Sequence, residues 1–407
     1  MRQGEKDDHR VVDASCPAVS VKKLSKKFGT RTILKEISFD IAQGEVLIVL
    51  GPSGSGKSTL LRILAGLESL DSGEIGMGGT IVNNLTPQQR RLGVVFQDHT
   101  LFERMTVEQN IAFGLEVRKM ASSQIRTRID EMLELIRIGD DRKKYPSQLS
   151  GGQRQRVALA RSLAYKPEVL LLDEPFSSLD AVIRADLRRE VRALLRSLNI
   201  SALFITHDQE EALEMADRIA VINDGRIEQI STPFEVYNHP RSEFVATFLG
   251  AANVLLGRWR DGRVAIGSLR LKPNANVPPL EERQPVKVVF RPEDAVLGFQ
   301  AQLLDVPYVL GRAQIEDISY IGHAEKLVLH LKTWETPAET VERGGKNHIS
   351  LVDETYAEGL QIMVSRTKWE ASDMELSPGD WVVVGLKDYR LLAHYPLRSE
   401  AGAKVAG

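Results

Sequence analysis

The stretch "EVLIVLGPSGSGKSTLLRILAGL", residues 45–67, constrains this chain more than any other. Its first six residues are almost wholly apolar and end at Gly51, the pattern of a short strand buried on both faces. Further on, Leu60, Ile63, Leu64 and Leu67 recur at helical spacing. Between strand and helix lie Gly51, Pro52, Ser53, Gly54, Ser55, Gly56, Lys57, Ser58 and Thr59, which spell G-x-x-x-x-G-K-[ST] followed by threonine. In that setting the loop N–H groups and the positive end of the helix dipole converge on one phosphate chain. Lys57 is placed to reach the β- and γ-phosphates, and the Ser58 hydroxyl to take a position on Mg²⁺.

A phosphate cradle of this type requires an acid at the end of a neighbouring strand. "VLLLDEP", residues 169–175, supplies two carboxylates at the end of an apolar run. Asp173 fits the Mg²⁺-supporting acid and Glu174 the general base that polarises an attacking water. Small-metabolite kinases carry the same pair of elements. A third stretch, "LSGGQRQR" from Leu149 to Arg156, separates the two classes. Ser150, Gly151, Gly152 and Gln153 stand where a helix begins, with Val157, Ala160 and Leu163 on its apolar face. A capping serine alone does not call for the glycine pair and the glutamine, so this end reads as a second anion grip.

Further motifs occur in a fixed order. "VFQD" (95–98) offers Gln97, "SSLD" (177–180) ends at Asp180, "SALFITH" (201–207) ends at His207, and "KKFG" (26–29) carries Phe28. Together they resemble the nucleotide-binding subunits of ATP-binding cassette (ABC) transporters over about residues 19–237. The resemblance makes 51–59 the Walker A loop, Gln97 the Q-loop glutamine and LSGGQ the signature. It makes VLLLDEP the Walker B strand, Asp180 the end of the D-loop and His207 the switch histidine. It implies that ATP is the nucleotide, that Phe28 stacks on adenine, and that Gln97 joins Ser58 and Asp173 around Mg²⁺. Lys57, Gln97, Glu174 and His207 are then the catalytic set. In this family two cassettes meet head to tail, the signature of one closing on the γ-phosphate held by the other. A second, identical cassette is the implied first partner, and the two grips are far apart because they serve different nucleotides.

Subclass is indicated by the flanking sequence. "DHTLFERMTVEQNIAFGL" after Gln97 resembles the stretch that forms the permease groove in bacterial importers, with Leu101, Phe102 and Met105 as its apolar members. Beyond Thr232 the chain resembles the regulatory extension of maltose, polyamine, ferric-iron and sulfate importers, with "FRPED" (290–294) as its arginine–proline motif. The layout is closest to sulfate/thiosulfate importers, with ferric and polyamine types as alternatives. A periplasmic solute-binding protein is an indirect partner on this reading, and the subunit works at the cytoplasmic face of the inner membrane.

The expected fold is α/β. A P-loop domain with a RecA-like core, an antiparallel β subdomain and a helical subdomain precedes a small all-β domain of OB/TOBE type. Boundaries are expected at 1–17 (tail), 18–240 (ATPase domain, helical subdomain 98–148), 241–250 (linker helix), 251–396 (β domain) and 397–407 (tail). Pro233 and Pro240 mark the linker between periodic helices and short strands. Composition bounds the partners. With 53 basic and 55 acidic residues the net charge is −2, so no broad basic field recruits nucleic acid. The single cysteine, Cys16, allows no internal disulfide, which fits a cytosolic location. No apolar run approaches the ~20 residues of a membrane span. A soluble ABC ATPase of translation or repair would bring paired cassettes or a long coiled coil, and neither pattern is present.

Overall fold

The structure, a computed structural model, describes residues 16–97, 101–177, 179–266, 269–273, 279–332 and 360–393. The expected C-terminal tail, most of the N-terminal one, Ser178 and the start of the helical segment at 98–100 lie outside these residues. The chain divides into two compact units, Met1–Asn238 and His239–Gly407.

In the first unit the strands are β1 (Val19–Phe28), β2 (Arg31–Ile41), β3 (Val46–Leu50), β4 (Ser72–Met77), β5 (Thr80–Ile81), β6 (Leu92–Val95), β7 (Val169–Asp173), β8 (Ser201–Thr206), β9 (Arg218–Asn223) and β10 (Arg226–Ser231). Strands β2-β1-β4-β5 make an antiparallel sheet, and β10-β9-β3-β8-β7-β6 a second one. Neighbours from β9 through β6 in that second sheet run parallel, and β10 closes it as an antiparallel edge. Every residue of β3, β7 and β8 is buried, as unbroken apolar runs predict for a parallel sheet covered on both faces. Register decides the rest. Leu50 pairs with Thr206, and Asp173 with Ile205, so β3, β7 and β8 end side by side. Gly51, Glu174 and His207, the residues just past those strand ends, therefore emerge along one carboxyl edge, where ligands of open α/β sheets bind.

Helices accompany these strands. They are α1 (Lys57–Leu64), α2 (Val107–Val117), α3 (Ser122–Leu135), α4 (Gly151–Leu163), α5 (Ala181–Ser197), α6 (Gln209–Met215) and α7 (Pro233–Asn238). Thr106 and Gln109 cap α2 reciprocally, with Thr106 N–H donating to Gln109 Oε1 at 2.8 Å. Helical spacing in the sequence aligns Ile125 with Ile129, Leu133 and Ile136, and Ile183 with Leu187, Val191 and Leu194, yet Ile125 is only half-buried and Ile183 is 40% exposed. The stretch read as a linker from Thr232 is also different at its start. Residues 233–238 form α7, and Val236 is fully buried. Proline at the first helical position starts a helix as readily as it breaks one. No helix among the described residues is long and apolar enough to cross a membrane.

The second unit is antiparallel throughout its sheets. After α8 (Glu243–Phe248) come β11 (Asn253–Arg260), β12 (Arg263–Ile266), β13 (Leu269–Leu271), β14 (Pro285–Phe290), β15 (Ala295–Gly298), β16 (Tyr308–Tyr320), β17 (Ala324–Leu331), β18 (Leu360–Thr367), β19 (Trp381–Leu386) and β20 (Arg390–Ala393). The orders β13-β12-β11-β14-β20 and β15-β19-β16-β17-β18 enclose one core that includes Leu255, Val288, Leu310, Leu329, Val364 and Val384. The arginine of "FRPED" acts here as a cap. Arg291 is buried, and its Nη1 donates to the carbonyls of Ala246 (2.7 Å) and Gly250 (2.5 Å), closing the end of α8.

Candidate functional site

The loop between β3 and α1 is shaped by glycine at the helix entry. Gly56 sits at φ 105°, and a Cβ there would lie 2.7 Å from Leu34 Cδ2 and 3.1 Å from the Ile33 carbonyl. Any side chain would push α1 off the sheet. Lys57 turns back over the loop, its Nζ donating to the carbonyls of Gly51 at 2.7 Å and Pro52 at 2.9 Å. Burial pulls its pKa below the ordinary lysine value, and the nearby carboxylates of Glu174 and Asp173 oppose that pull. Gly51 is buried, Pro52 half-buried, Ser53 and Gly54 exposed, Ser58 exposed and Thr59 half-buried. The Ser55 hydroxyl is buried with no hydrogen-bond partner among the described residues. A donor held ready in a loop of backbone N–H groups suits a phosphate oxygen.

Asp173 closes β7, buried, and Glu174 turns the chain. Glu174 has φ 44°, a left-handed conformation unusual for a side chain of its size, and its N–H donates to the Ile205 carbonyl at 2.9 Å. Its own carbonyl accepts from Ser177 Oγ at 3.0 Å. This turn aims the carboxylate at two residues far away in sequence. Glu174 Oε1 is 3.1 Å from His207 Nδ1, and Oε2 accepts from Gln97 Nε2 at 3.3 Å. The structure thus brings Gln97, Glu174 and His207 together, with Lys57 close enough to feel both carboxylates.

Support behind His207 went unseen in the sequence. Thr206 Oγ1 donates to Glu211 Oε2 at 2.7 Å and accepts from the Asp208 N–H at 3.0 Å. Asp208 caps α6 by accepting from the N–H groups of Glu210 and Glu211. Burial raises the pKa of Glu211, against the pull of its bond to Thr206. A signal did exist: an aspartate with two glutamates close behind it, right after a buried strand, is a helix start.

The signature segment opens α4, where the sequence reading expects a helix to begin. Ser150 caps α4, and Gln153 returns the bond, with Ser150 N–H donating to Gln153 Oε1 at 2.9 Å. Gln153 Nε2 also donates to Asp141 Oδ2 at 2.7 Å. Both ends of the Gln153 amide are thus engaged at the start of α4. The glycine pair also has a local cause. A Cβ on Gly151 would lie 3.0 Å from Leu179 Cδ2, and one on Gly152 3.1 Å from Ile183 Cγ2. Asp180 Oδ1 accepts from the Ile183 N–H at 3.0 Å and caps α5. Among the described residues no hydrogen bond or ion pair joins 150–153 to 51–59, so within one chain the two grips stay apart. Phe28 ends β1 half-exposed, with Lys26 Nζ 5.0 Å from its ring.

Of the three apolar residues expected at a permease groove, one faces inward. Leu101 is buried, Met105 is half-buried and Phe102 is exposed. Phe102 stacks at a tilt on Phe113, 4.4 Å between ring centres, with the Arg161 guanidinium 5.2 Å from its ring. Buried Asn110 fixes this turn by bonding Phe102, Met105 and Thr106 through their backbones.

A glycine-rich phosphate loop, paired carboxylates and a histidine on one edge of a parallel sheet define a P-loop nucleotide-binding domain. Residues 34–177 match the family model described as ABC transporter. The chain is similar to the sulfate/thiosulfate import ATP-binding protein CysA of Xanthomonas campestris pv. campestris. Identity is 50% over 282 residues, which cover 68% of this chain and 81% of the relative. The protein of that name from Gloeobacter violaceus is 43% identical over 347 residues, 85% of this chain and 91% of its own length. That from Thermosynechococcus vestitus is 52% identical over 240 residues, 59% and 71% of the two chains. The chain belongs to the family of ABC transporter ATP-binding proteins.

Proposed function

We propose that this chain hydrolyses ATP to ADP and phosphate and couples the reaction to import of sulfate or thiosulfate through a membrane permease. The observation that carries the chemistry is the Glu174 carboxylate, held between His207 and Gln97 beside the Lys57 loop. Lys57 and the loop N–H groups take the β- and γ-phosphates, and the Ser55 hydroxyl faces the same loop. The donors at hand suit Mg²⁺, which prefers oxygen. The Ser58 hydroxyl, the Asp173 carboxylate and the Gln97 amide would hold it, and when bound it neutralises phosphate charge. Glu174 accepts the proton of the attacking water, and His207 and Gln97 fix the direction of that carboxylate. Asp180 and the N-terminus of α4 serve the nucleotide of a second, identical cassette, and Phe28 stacks on adenine. Phe102, with Met105 beside it, meets the permease. The solute is taken from the names of the relatives, since no residue of this chain has to touch it. A periplasmic binding protein would deliver that solute from the far side.

Glu174→Gln keeps the shape and polarity of the side chain and removes its proton affinity. Turnover is expected to fall by on the order of 10²–10⁴ while ATP still binds, and the variant should accumulate as an ATP-bound dimer on size exclusion. Near-normal turnover would move the role of base elsewhere, His207 first. Uptake of labelled sulfate in cells that depend on this chain tests the solute. Uptake of ferric iron or a polyamine instead would contradict it.

A further inference from the structure

Arginines recur at every fourth position of α5: Arg184, Arg188, Arg192 and Arg196. At that spacing all four lie along one stripe of the helix. Residues 208–217 face that stripe. Arg188 Nε is 2.8 Å from Glu214 Oε2, Arg196 Nη2 3.3 Å from Asp217 Oδ1, and Arg192 donates to the Glu214 carbonyl. The first arginine has a further attachment. Arg184 Nη1 is 3.1 Å from Asp208 Oδ2, while its Nη2 donates to the Leu179 carbonyl at 2.8 Å. Leu179 belongs to the turn that leaves Glu174, and Asp208 is the residue after His207. One guanidinium therefore spans the two chain segments that carry the reacting carboxylate and its histidine.

Neighbouring bonds give that bridge leverage. The second Asp208 oxygen is engaged at the start of α6, its N–H is on Thr206 Oγ1, and Thr206 Oγ1 is on Glu211. His207 thus lies between two anchored residues, yet its own side chain is 56% exposed and its ion-pair contact is the one to Glu174. The Arg184 and Asp208 side chains are mostly buried, where a charge-assisted bond holds its geometry better than a solvated pair does.

We propose that Arg184 is a positioning residue for hydrolysis, fastening the turn after Glu174 to Asp208 so that His207 stays at the Glu174 carboxylate. The proposal rests on the roles in hydrolysis proposed for Glu174 and His207. A planar guanidinium reaches carbonyl and carboxylate at once, whereas a lysine ammonium at the end of a flexible stem meets one of them at a time. Loss of the bridge leaves ATP binding alone, because neither Arg184 nor Asp208 touches the phosphate loop. It lowers the fraction of time that His207 meets Glu174.

The test is ATP turnover by the full-length chain. Arg184→Ala, Arg184→Lys and Asp208→Asn are measured alone and combined with His207→Ala. Asp208→Asn retains an oxygen for the α6 cap, so it keeps the test decisive if Arg184→Ala does not fold. Arg184→Ala and Asp208→Asn are expected to lower kcat about ten- to a hundredfold with KM for ATP within about twofold. Arg184→Lys should recover part of the loss. With His207 already alanine, none of the three should reduce turnover further. Unchanged kcat in Arg184→Ala and Asp208→Asn, or losses that multiply with that of His207→Ala, would overturn the proposal. Wild-type turnover in His207→Ala alone would instead overturn the role of His207, and the proposal with it.

Discussion

Glu174 and Lys57 both occupy states that folding by itself disfavours. A left-handed glutamate costs about 1–2 kcal/mol relative to ordinary backbone. The Ile205 carbonyl, accepting the Glu174 N–H, holds that turn in place. Lys57 carries its charge in a buried loop, with its pKa depressed by burial. Phosphate arriving beside it restores a counter-charge and raises the pKa again. As pH rises through the depressed value, the free protein therefore loses the Lys57 proton first, and ATP binding must put it back. Calorimetry in buffers of different ionisation heat should show net proton uptake on ATP binding that grows as pH rises toward the ordinary lysine pKa. Binding with no uptake as pH rises would contradict a titrating Lys57. The sequence showed which residues these are. It did not show that Glu174 is the hub for Gln97 and His207, because that contact depends on β6, β7 and β8 lying side by side. An apolar run long enough for a strand carries no information about its neighbours.

At the level of elements, the start of α4 carries packing that the sequence alone did not announce. "LSGGQ" offers small residues at a helix N-terminus, and an anion explains them as well as tight packing does. The structure supplies the packing: Leu179 and Ile183, at the turn into α5, approach the glycines. Two effects compete in Gly152→Ala. Alanine in place of glycine favours a helix by up to ~1 kcal/mol. A methyl 3.1 Å from Ile183 Cγ2 makes that side chain give by a few tenths of an ångström, which offsets part of the helix gain. By denaturant unfolding, Gly152→Ala should therefore be more favourable in an Ile183→Ala chain than in the wild-type chain. Additive effects of the two changes would show that the contact is not what keeps glycine there. Ile183 is a position that helical periodicity alone misplaces: it lies against Gly152 at the start of α4 and stays 40% exposed rather than entering the core.

Over the whole molecule, the class of fold was legible because its signals are local. A strand, a loop and a helix in one stretch of residues state a P-loop, and short alternating strands after residue 250 state an antiparallel β unit. Sheet order and the helix at 233–238 were not legible, since each depends on what a segment packs against. On the proposed function two copies of the chain act together, and each nucleotide would lie between the Lys57 loop of one and the Ser150 end of α4 of the other. Lesions must be chosen so that the chain itself is undisturbed. Lys57→Ala removes the ammonium. Ser150→Asp keeps an oxygen that caps α4, avoids the crowded glycines and sets a carboxylate against the γ-phosphate. Differently tagged subunits are purified as mixed dimers, and nucleotide trapping is counted per dimer. When one subunit carries only Lys57→Ala and the other only Ser150→Asp, both lesions fall in one shared site and the other site is intact, so trapping at one site is predicted. When a wild-type subunit is paired with one carrying both changes, each site receives a lesion, and no trapping is predicted. Trapping in the second pairing with none in the first would contradict the account, because each chain would then complete its own site.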